Sequence, residues 1–205
     1  MVHGMDVTTT ALSAAIGARV RQERQARRWT LDALAETAGV SRRMLVNVEQ
    51  GATNPSVGIL LRISQALGIG LPALVENPQV AAVKVTRRGE GSILWRGDRG
   101  GVGVLLSGTE SPDVLELWDW TLQPGERHES EEHATGTKEL LQVLDGDIEV
   151  TVGEQTHPLA TGDVIAFSGD APHAYANPGS APARFTLSVF EPGVGSPKAS
   201  ETHGD

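Results

Sequence analysis

The hydrophobic period of this chain changes once, near Asn77-Pro78, and that change constrains its fold more than any other feature. Before it, Leu12, Ile16 and Val20 recur every four residues among arginines, one buried stripe of an amphipathic helix. Thr30 and Ser41 stand as N-cap types ahead of Leu31–Ala38 and Arg42–Gln50,. Gly51 stops that helix, and Asn54-Pro55-Ser56 starts another whose apolar face is Leu60, Ile63 and Leu67,. Leu71–Val75 makes a short fifth helix. After Asn77-Pro78 come short runs of β-branched, leucine and aromatic residues between Gly, Asp and Pro turns: Val102–Leu106, Val114–Leu122, Glu139–Leu144, Ile148–Val152, Asp163–Phe167 and Arg184–Phe190,. Asp145-Gly146 reads as a tight hairpin turn between two of them. Helices followed by many short strands predict an α+β multidomain chain. Its parts are a five-helix bundle over 12–75, a linker over 76–82, an all-β sandwich or barrel over 83–192, and a polar tail over 193–205 expected to be disordered.

At 205 residues the chain has room for two modest cores,. It contains no cysteine, which excludes disulfides, thiolate metal sites and a thiol nucleophile. The start lacks a basic segment followed by an apolar core, and no apolar run is long enough to cross a membrane, so a soluble cytoplasmic protein is expected. The net charge of −9 conceals two unlike parts. Residues 12–75 carry eight arginines against four carboxylates, a balance of +4, and the remainder carries −13. A basic head on an acidic body suits nucleic-acid binding by the head alone, although two solvated surfaces of different composition would show the same numbers.

The segment Thr30–Glu49 narrows that choice. Two helices crossing steeply need a small residue at their approach, supplied by Ala35, and a turn residue tolerant of positive φ, supplied by Gly39,. Leu34, Ala38, Val40, Leu45 and Val48 then fall on the buried sides. With NPS and LLRISQALGI following, residues 16–75 resemble the Cro/C1-type (xenobiotic-response-element) helix-turn-helix family. The resemblance implies a five-helix fold whose third helix, about Ser41–Gln50, lies in the major groove of a double-stranded DNA operator. It places Arg42, Arg43, Val46 and Asn47 toward base edges. Arg can fork onto guanine and Asn can pair with adenine. Thr30 and Ser41, at helix N-termini, are candidates for phosphate contacts. Glu49 is expected to be a structural partner of a helix-one arginine such as Arg19 or Arg24, since phosphate would repel it.

A second constellation spans Gly125–Gly146 and Gly162–Asn177. Gly125 is followed by His128, Glu131, His133 and Glu139, and six residues separate Glu139 from Gly146; Gly162, His173 and Asn177 follow. These resemble the two short motifs of the cupin family, with Ser168 and Asp170 in place of the second motif's usual Pro and Gly. The resemblance covers about 83–192 and implies a double-stranded β-helix, or jelly-roll, barrel. Metal-binding cupins use three histidines and a glutamate. Here the His-x-His pair reads Glu131-Glu132-His133, and the interval from His133 to Glu139 exceeds the usual one by a single residue. What remains is His133, Glu139 and His173, with Glu131 or His128 as fourth ligand. Such a set suits a divalent ion, whether zinc, iron, manganese or nickel. An organic effector, with Tyr175 contributing a polar contact, or mutual satisfaction of these groups inside the barrel, stays open at this point. Trp95, Trp118 and Trp120 are expected in a core or a dimer interface, with the last two on one strand face. His157 precedes Pro158 in a turn-like segment and is expected at the surface; His3 and His203 lie in the tails.

The whole implies a sequence-specific transcriptional regulator whose barrel binds a small-molecule or metal effector. A homodimer is expected, since paired heads reading two half-sites gain affinity and specificity. The alternative is a cupin oxygenase or isomerase carrying a DNA-binding domain, against which the incomplete ligand set counts.

Overall fold

The computed structural model describes residues 4–75 and 83–195. The expected linker, 76–82, and residues 196–205 of the expected tail lie outside the described residues. The chain is still held at 193 and 194: Gly193 donates to Asp113 Oδ1 at 3.1 Å and Val194 to the Pro112 carbonyl.

Five helices come first: α1 Gly4–Ala26, α2 Leu31–Thr37, α3 Arg42–Glu49, α4 Val57–Leu67 and α5 Leu71–Val75. Three of them begin as the sequence requires. Thr30, Ser41 and Ser56 accept the backbone N–H three residues on, from Ala33, Met44 and Ile59, which satisfies amides the first turn leaves unpaired. Gly39 turns the chain between α2 and α3 at φ +62°, a conformation costly for any residue with a Cβ,. Ile16, Val20, Leu34, Leu45, Val48, Leu60, Ile63 and Leu67 fill the bundle core, each at most 2% exposed.

Among the described residues ten strands follow: β1 Ser92–Arg96, β2 Val102–Gly108, β3 Val114–Leu122, β4 Arg127–Ser130, β5 Lys138–Asp145, β6 Ile148–Val152, β7 Gln155–Leu159, β8 Val164–Ser168, β9 His173–Ala176 and β10 Ala183–Glu191. They form two antiparallel sheets. One has the order β1-β2-β3-β10-β5-β8, the other β4-β9-β6-β7. Alternation sends one face of each long strand inward: along β3, Val114, Glu116, Trp118, Trp120 and Leu122 are buried; along β10, Ala183, Phe185, Leu187, Val189 and Glu191,.

Two local expectations are corrected. Asp145-Gly146 is a turn, with Gly146 at φ +76°, but it does not close a hairpin. β5 pairs with β10 and β8, β6 with β7 and β9, so this turn carries the chain from one sheet to the other. The two-residue hairpin is the next one, Gly153-Glu154, where Val152 faces Gln155. His157 sits in β7, half-buried and opposite Val150, and not in a turn. Pro158 is tolerated in this strand because β7 lies at the sheet edge, where a residue without N–H interrupts no ladder on its open side,.

The two domains touch. Pro72 of α5 packs on Gly108 of β2 and Gly70 on Val114 of β3, while Arg62 of α4 pairs with Glu131 at 2.9 Å. This contact brings the middle of α4 over one end of the barrel.

Candidate functional site

The outward face of α3 carries the residues expected to meet DNA. Leu45 and Val48 anchor the helix in the bundle, leaving Arg42 and Arg43 exposed and Val46 and Asn47 half-buried. Arg42 pairs with Asp32 at 2.9 Å across the turn, with both side chains largely exposed. Among the described residues, no such pair involves Arg43. The Thr30 and Ser41 hydroxyl oxygens accept backbone N–H groups at 3.1 Å, and each keeps an O–H to donate outward. Glu49 turns inward: Arg24 donates to its two oxygens at 2.6 and 2.8 Å and to the Trp29 carbonyl. Arg19 pairs with Glu23 instead. The bidentate Arg24–Glu49 pair therefore fixes α3 to α1,.

Inside the barrel, His133, Glu139 and His173 converge. His133 Nε2 lies 3.1 Å and His173 Nε2 3.2 Å from Glu139 Oε1. Glu139 and His173 are buried and His133 is nearly so. The second motif supplies His173 from β9, the first supplies Glu139 from β5, and the loop before β5 brings His133 against them. Around the three, Tyr175 donates a short hydrogen bond to Glu139 Oε2, and the Ala171 carbonyl lies 2.8 Å from His173 Nδ1. Those contacts direct Glu139 Oε1 and His173 Nε2 toward the common centre, where neither has an aligned hydrogen-bond partner. Burial acts to raise the Glu139 carboxyl, but the two imidazoles overcome it and hold it down to about 2. Burial alone would lower His173; the adjacent Glu139 carboxylate raises it above its ordinary value. One ligand atom from each residue falls within 4.8 Å of the others. Two imidazoles and a carboxylate held this way by outer hydrogen bonds make a donor set that fits a divalent transition metal.

Glu131 does not join them. It is exposed and engaged with Arg62, because the loop after β4 carries it outward toward α4. His128 lines the same cavity without entering the group. Burial, then the neighbouring His173, pushes its imidazole down to about 4, and its ring packs on Trp95, Trp120 and Tyr175. Trp118 and Trp120 face the barrel interior, each 3% exposed. Asn177 has a structural role: it donates to the Leu122 and Ala181 carbonyls and accepts from Gly179 N–H.

The cavity beside the three ligands contains residues the motif reading missed. Val57 and Leu61 of α4 close it from the helical domain, together with Glu116, Trp118, Trp120, His128, Ser130, Tyr175, Leu187, Val189 and Glu191 of the barrel. It holds about 30 Å³ of free space, enough for an ordered water or an ion. A larger cleft of about 480 Å³ adjoins it at the domain junction and shares Val57, His128 and Ser130 with it. Glu116 and Glu191 had a sequence signal: each is an acid on the apolar phase of a strand. Val57 and Leu61 had none, since only the docking of the two domains brings them here.

Residues 20–74 match the family described as Helix-turn-helix, and residues 118–190 that described as Cupin domain. Over 181 residues the chain is 26% identical to the HTH-type transcriptional regulator SutR of Escherichia coli (strain K12), covering 88% of this chain and 97% of that protein. It is 24% identical over 168 residues to the HTH-type transcriptional regulator PuuR of the same organism, covering 78% and 86%. A solved HTH_3 family transcriptional regulator from Vibrio cholerae is 28% identical, with a TM-score of 0.69 over 90% of this chain and 99% of that one. Among the described residues, no helix is long and apolar enough to cross a membrane.

Proposed function

This chain joins a helix-turn-helix domain to a cupin domain and is homologous to HTH-type transcriptional regulators of that build; from that premise we propose that it is a one-component switch. The barrel cavity takes up the effector, and α4 passes its occupancy to the DNA-reading face. One observation carries the reading: Val57 and Leu61, both on α4, are walls of the cavity that holds His133 and Glu139. The cavity alone is too small for a whole organic effector, which must extend into the adjoining cleft. A ligand that fills both lies against Val57 of α4 and so favours one position of this helix, and with it of the head. A ligand shifts an equilibrium only through such a difference between two states.

On the DNA side, Arg43 and Asn47 are the base-reading residues, with Arg42 and Val46 beside them and Thr30 and Ser41 on phosphates. In the barrel, His133, Glu139 and His173 would hold the divalent ion, and Tyr175 keeps Glu139 oriented toward it. When bound, the ion supplies a fixed positive charge and an open coordination position for an effector's acceptor atom.

Two copies pair through the outer face of the six-stranded sheet. Leu115 and Leu117 of β3, Phe190 of β10 and Leu140 of β5 are large apolar residues between 36% and 52% exposed there. They form one patch, because Phe190 lies opposite Leu115, and Ser188 lies between Leu117 and Leu140. A self-complementary patch of this kind suits a two-fold pair, which presents two reading helices to a palindromic site.

The test is operator affinity of the full chain, measured by fluorescence anisotropy on a selected DNA site, with divalent metal and with a chelator. The parent should change affinity between the two conditions, whereas His133→Ala and His173→Ala should bind DNA alike in both. Variants that respond as the parent does would place the sensing site elsewhere.

A further inference from the structure

We propose that the cavity contains a second subsite, distinct from His133, Glu139 and His173, in which Glu116 and Glu191 bind a protonated primary amine of a small ligand. The inference rests on the reading of this cavity as the effector site and names the chemistry of the effector.

Register places the acids. Glu116 on β3 lies opposite Val189 on β10, and Val189 opposite Glu139 on β5, so the two carboxylates of that row flank one valine. Glu191 lies two residues beyond Val189 on the same inward face. Glu116 and Glu191 are each 2% exposed, and both line the cavity. Glu116 Oε2 accepts from the Trp118 indole at 2.8 Å, but Glu116 Oε1 and Glu191 Oε1 have no partner. No lysine or arginine is among the groups that act on either acid: Glu116 feels Glu191 and Glu139, and Glu191 feels His133 and Glu139. Buried carboxylates without a cation are costly unless they take up protons or a positive ligand. Burial, and then Glu191, already push Glu116 up to about 8, so the pair is short of positive charge.

A second observation, independent of the acids, also points to a ligand. Trp120, 3% exposed, lines the same cavity, and its Nε1 donor has no partner. Two unfilled acceptors and one unfilled donor therefore belong to residues that line one small chamber. An ammonium group supplies N–H donors to both carboxylates and is close to the size of the free space. The Trp120 donor asks for an acceptor a short distance from that nitrogen. The ligand class is thus a small amine that also bears a hydroxyl or carboxylate, with its remaining atoms extending past Val57, His128 and Ser130 into the cleft.

The experiment is isothermal titration calorimetry on the full chain with four probes: 2-aminoethanol, glycine, n-propylamine and n-propanol. The parent should bind the first or second with a saturable signal, n-propylamine more weakly, and n-propanol not at all. Whether 2-aminoethanol or glycine binds tighter decides between an amino alcohol and an amino acid. E116Q and E191Q should each weaken amine binding by ten-fold or more, and the double variant should abolish it. Metal uptake by the double variant, read by the same method, should match the parent, because its three ligands are untouched. If the double variant folds poorly, E191Q alone carries the test. The proposal is overturned if the parent binds none of the amines, or if E191Q and E116Q bind them as the parent does. Where the amines fail but operator affinity still answers to metal, this inference falls and the switch stands. Where amines bind through Glu116 and Glu191 without altering operator affinity, the subsite stands and the switch falls.

Discussion

Replacing Glu116 by Gln should change how stability depends on pH, and the sign follows from the site. Burial, the nearby Glu191 and, last, Glu139 act against the ionised form, and only the Trp118 N–H favours it; the outcome raises the group from its ordinary 4.5 to about 8. In the unfolded chain Glu116 releases its proton near pH 4.5, whereas in the folded barrel it keeps it until about pH 8. A raised carboxyl therefore contributes stability that is fully present below pH 4.5 and lost progressively up to about pH 8. At about 1.4 kcal/mol per unit, a shift of that size corresponds to roughly 4–5 kcal/mol over the window. Gln keeps the oxygen that accepts from Trp118 and cannot ionise in either state, so E116Q escapes the loss. Urea unfolding at pH 5, 6, 7 and 8 measures it, followed through the barrel tryptophans Trp95, Trp118 and Trp120, with a chelator present and in amine-free phosphate or acetate buffers. Relative to the parent, E116Q should gain at least about 2 kcal/mol between pH 5 and pH 8. Parallel pH profiles for the two proteins would refute the reasoning.

Three further outcomes follow from the head and from the sheet face. Arg43→Ala and Asn47→Ala should each cost about 1–3 kcal/mol at a selected operator and relax preference at one base pair; unchanged binding to both specific and random duplexes would exclude α3 as the reader. Glu49→Ala leaves Arg24 as an unpaired, mostly buried guanidinium between α1 and α3, so thermal denaturation should show the head losing about 3 kcal/mol; a loss below about 0.5 kcal/mol, the scale of ordinary surface substitutions, would make the pair dispensable. In sedimentation the parent should run as a dimer and the Leu117→Glu, Phe190→Glu double variant as a monomer; a monomeric parent would refute the pairing, and a double variant that sediments as a dimeric parent does would put the pairing surface elsewhere.

Helices α2, α3 and α4 were legible because each carries its own punctuation, whereas α1 was read from its apolar stripe and begins at Gly4, ahead of the expected start at 12. Thr30, Ser41 and Ser56 act within three residues of their position, and Gly39 is required by the turn it occupies. Glu49 was legible through an electrostatic argument that needs no coordinates. Val114–Leu122 and Ile148–Val152 were read to their boundaries, and the other expected strands to within one or two residues. The short strands β1, β4, β7 and β9 were not read. Arg127–Ser130 and Gln155–Leu159 have too little apolar alternation, and His173–Ala176 is buried on both phases. Asp145-Gly146 shows the limit of a local signal: the dipeptide specifies a turn, but which sheet receives the next strand is decided by residues far along the chain. The same limit hid the roof of the cavity. His133, Glu139 and His173 were found by spacing, while Glu131 satisfied the spacing and still points to Arg62. Val57 and Leu61 are ordinary apolar residues of an amphipathic helix until the barrel comes beneath them.

The Arg62–Glu131 contact sets the scale on which such a switch would operate. Both side chains are more than a third exposed, so this ion pair is worth about 0–1 kcal/mol and weakens as salt rises. Burying Val57 and Leu61 at the junction adds at most roughly 1.5–3 kcal/mol each. A ligand present at about a hundred times its dissociation constant shifts such an equilibrium by about 2.7 kcal/mol, which is of the same size. The head is thus neither welded to the barrel nor loose on it, and a ligand well above its dissociation constant has enough free energy to shift α4. Because one part of the latch is ionic and the rest apolar, the concentration needed should fall by at most about five-fold as salt rises, which links the response weakly to the osmotic state of the surroundings as well as to the ligand.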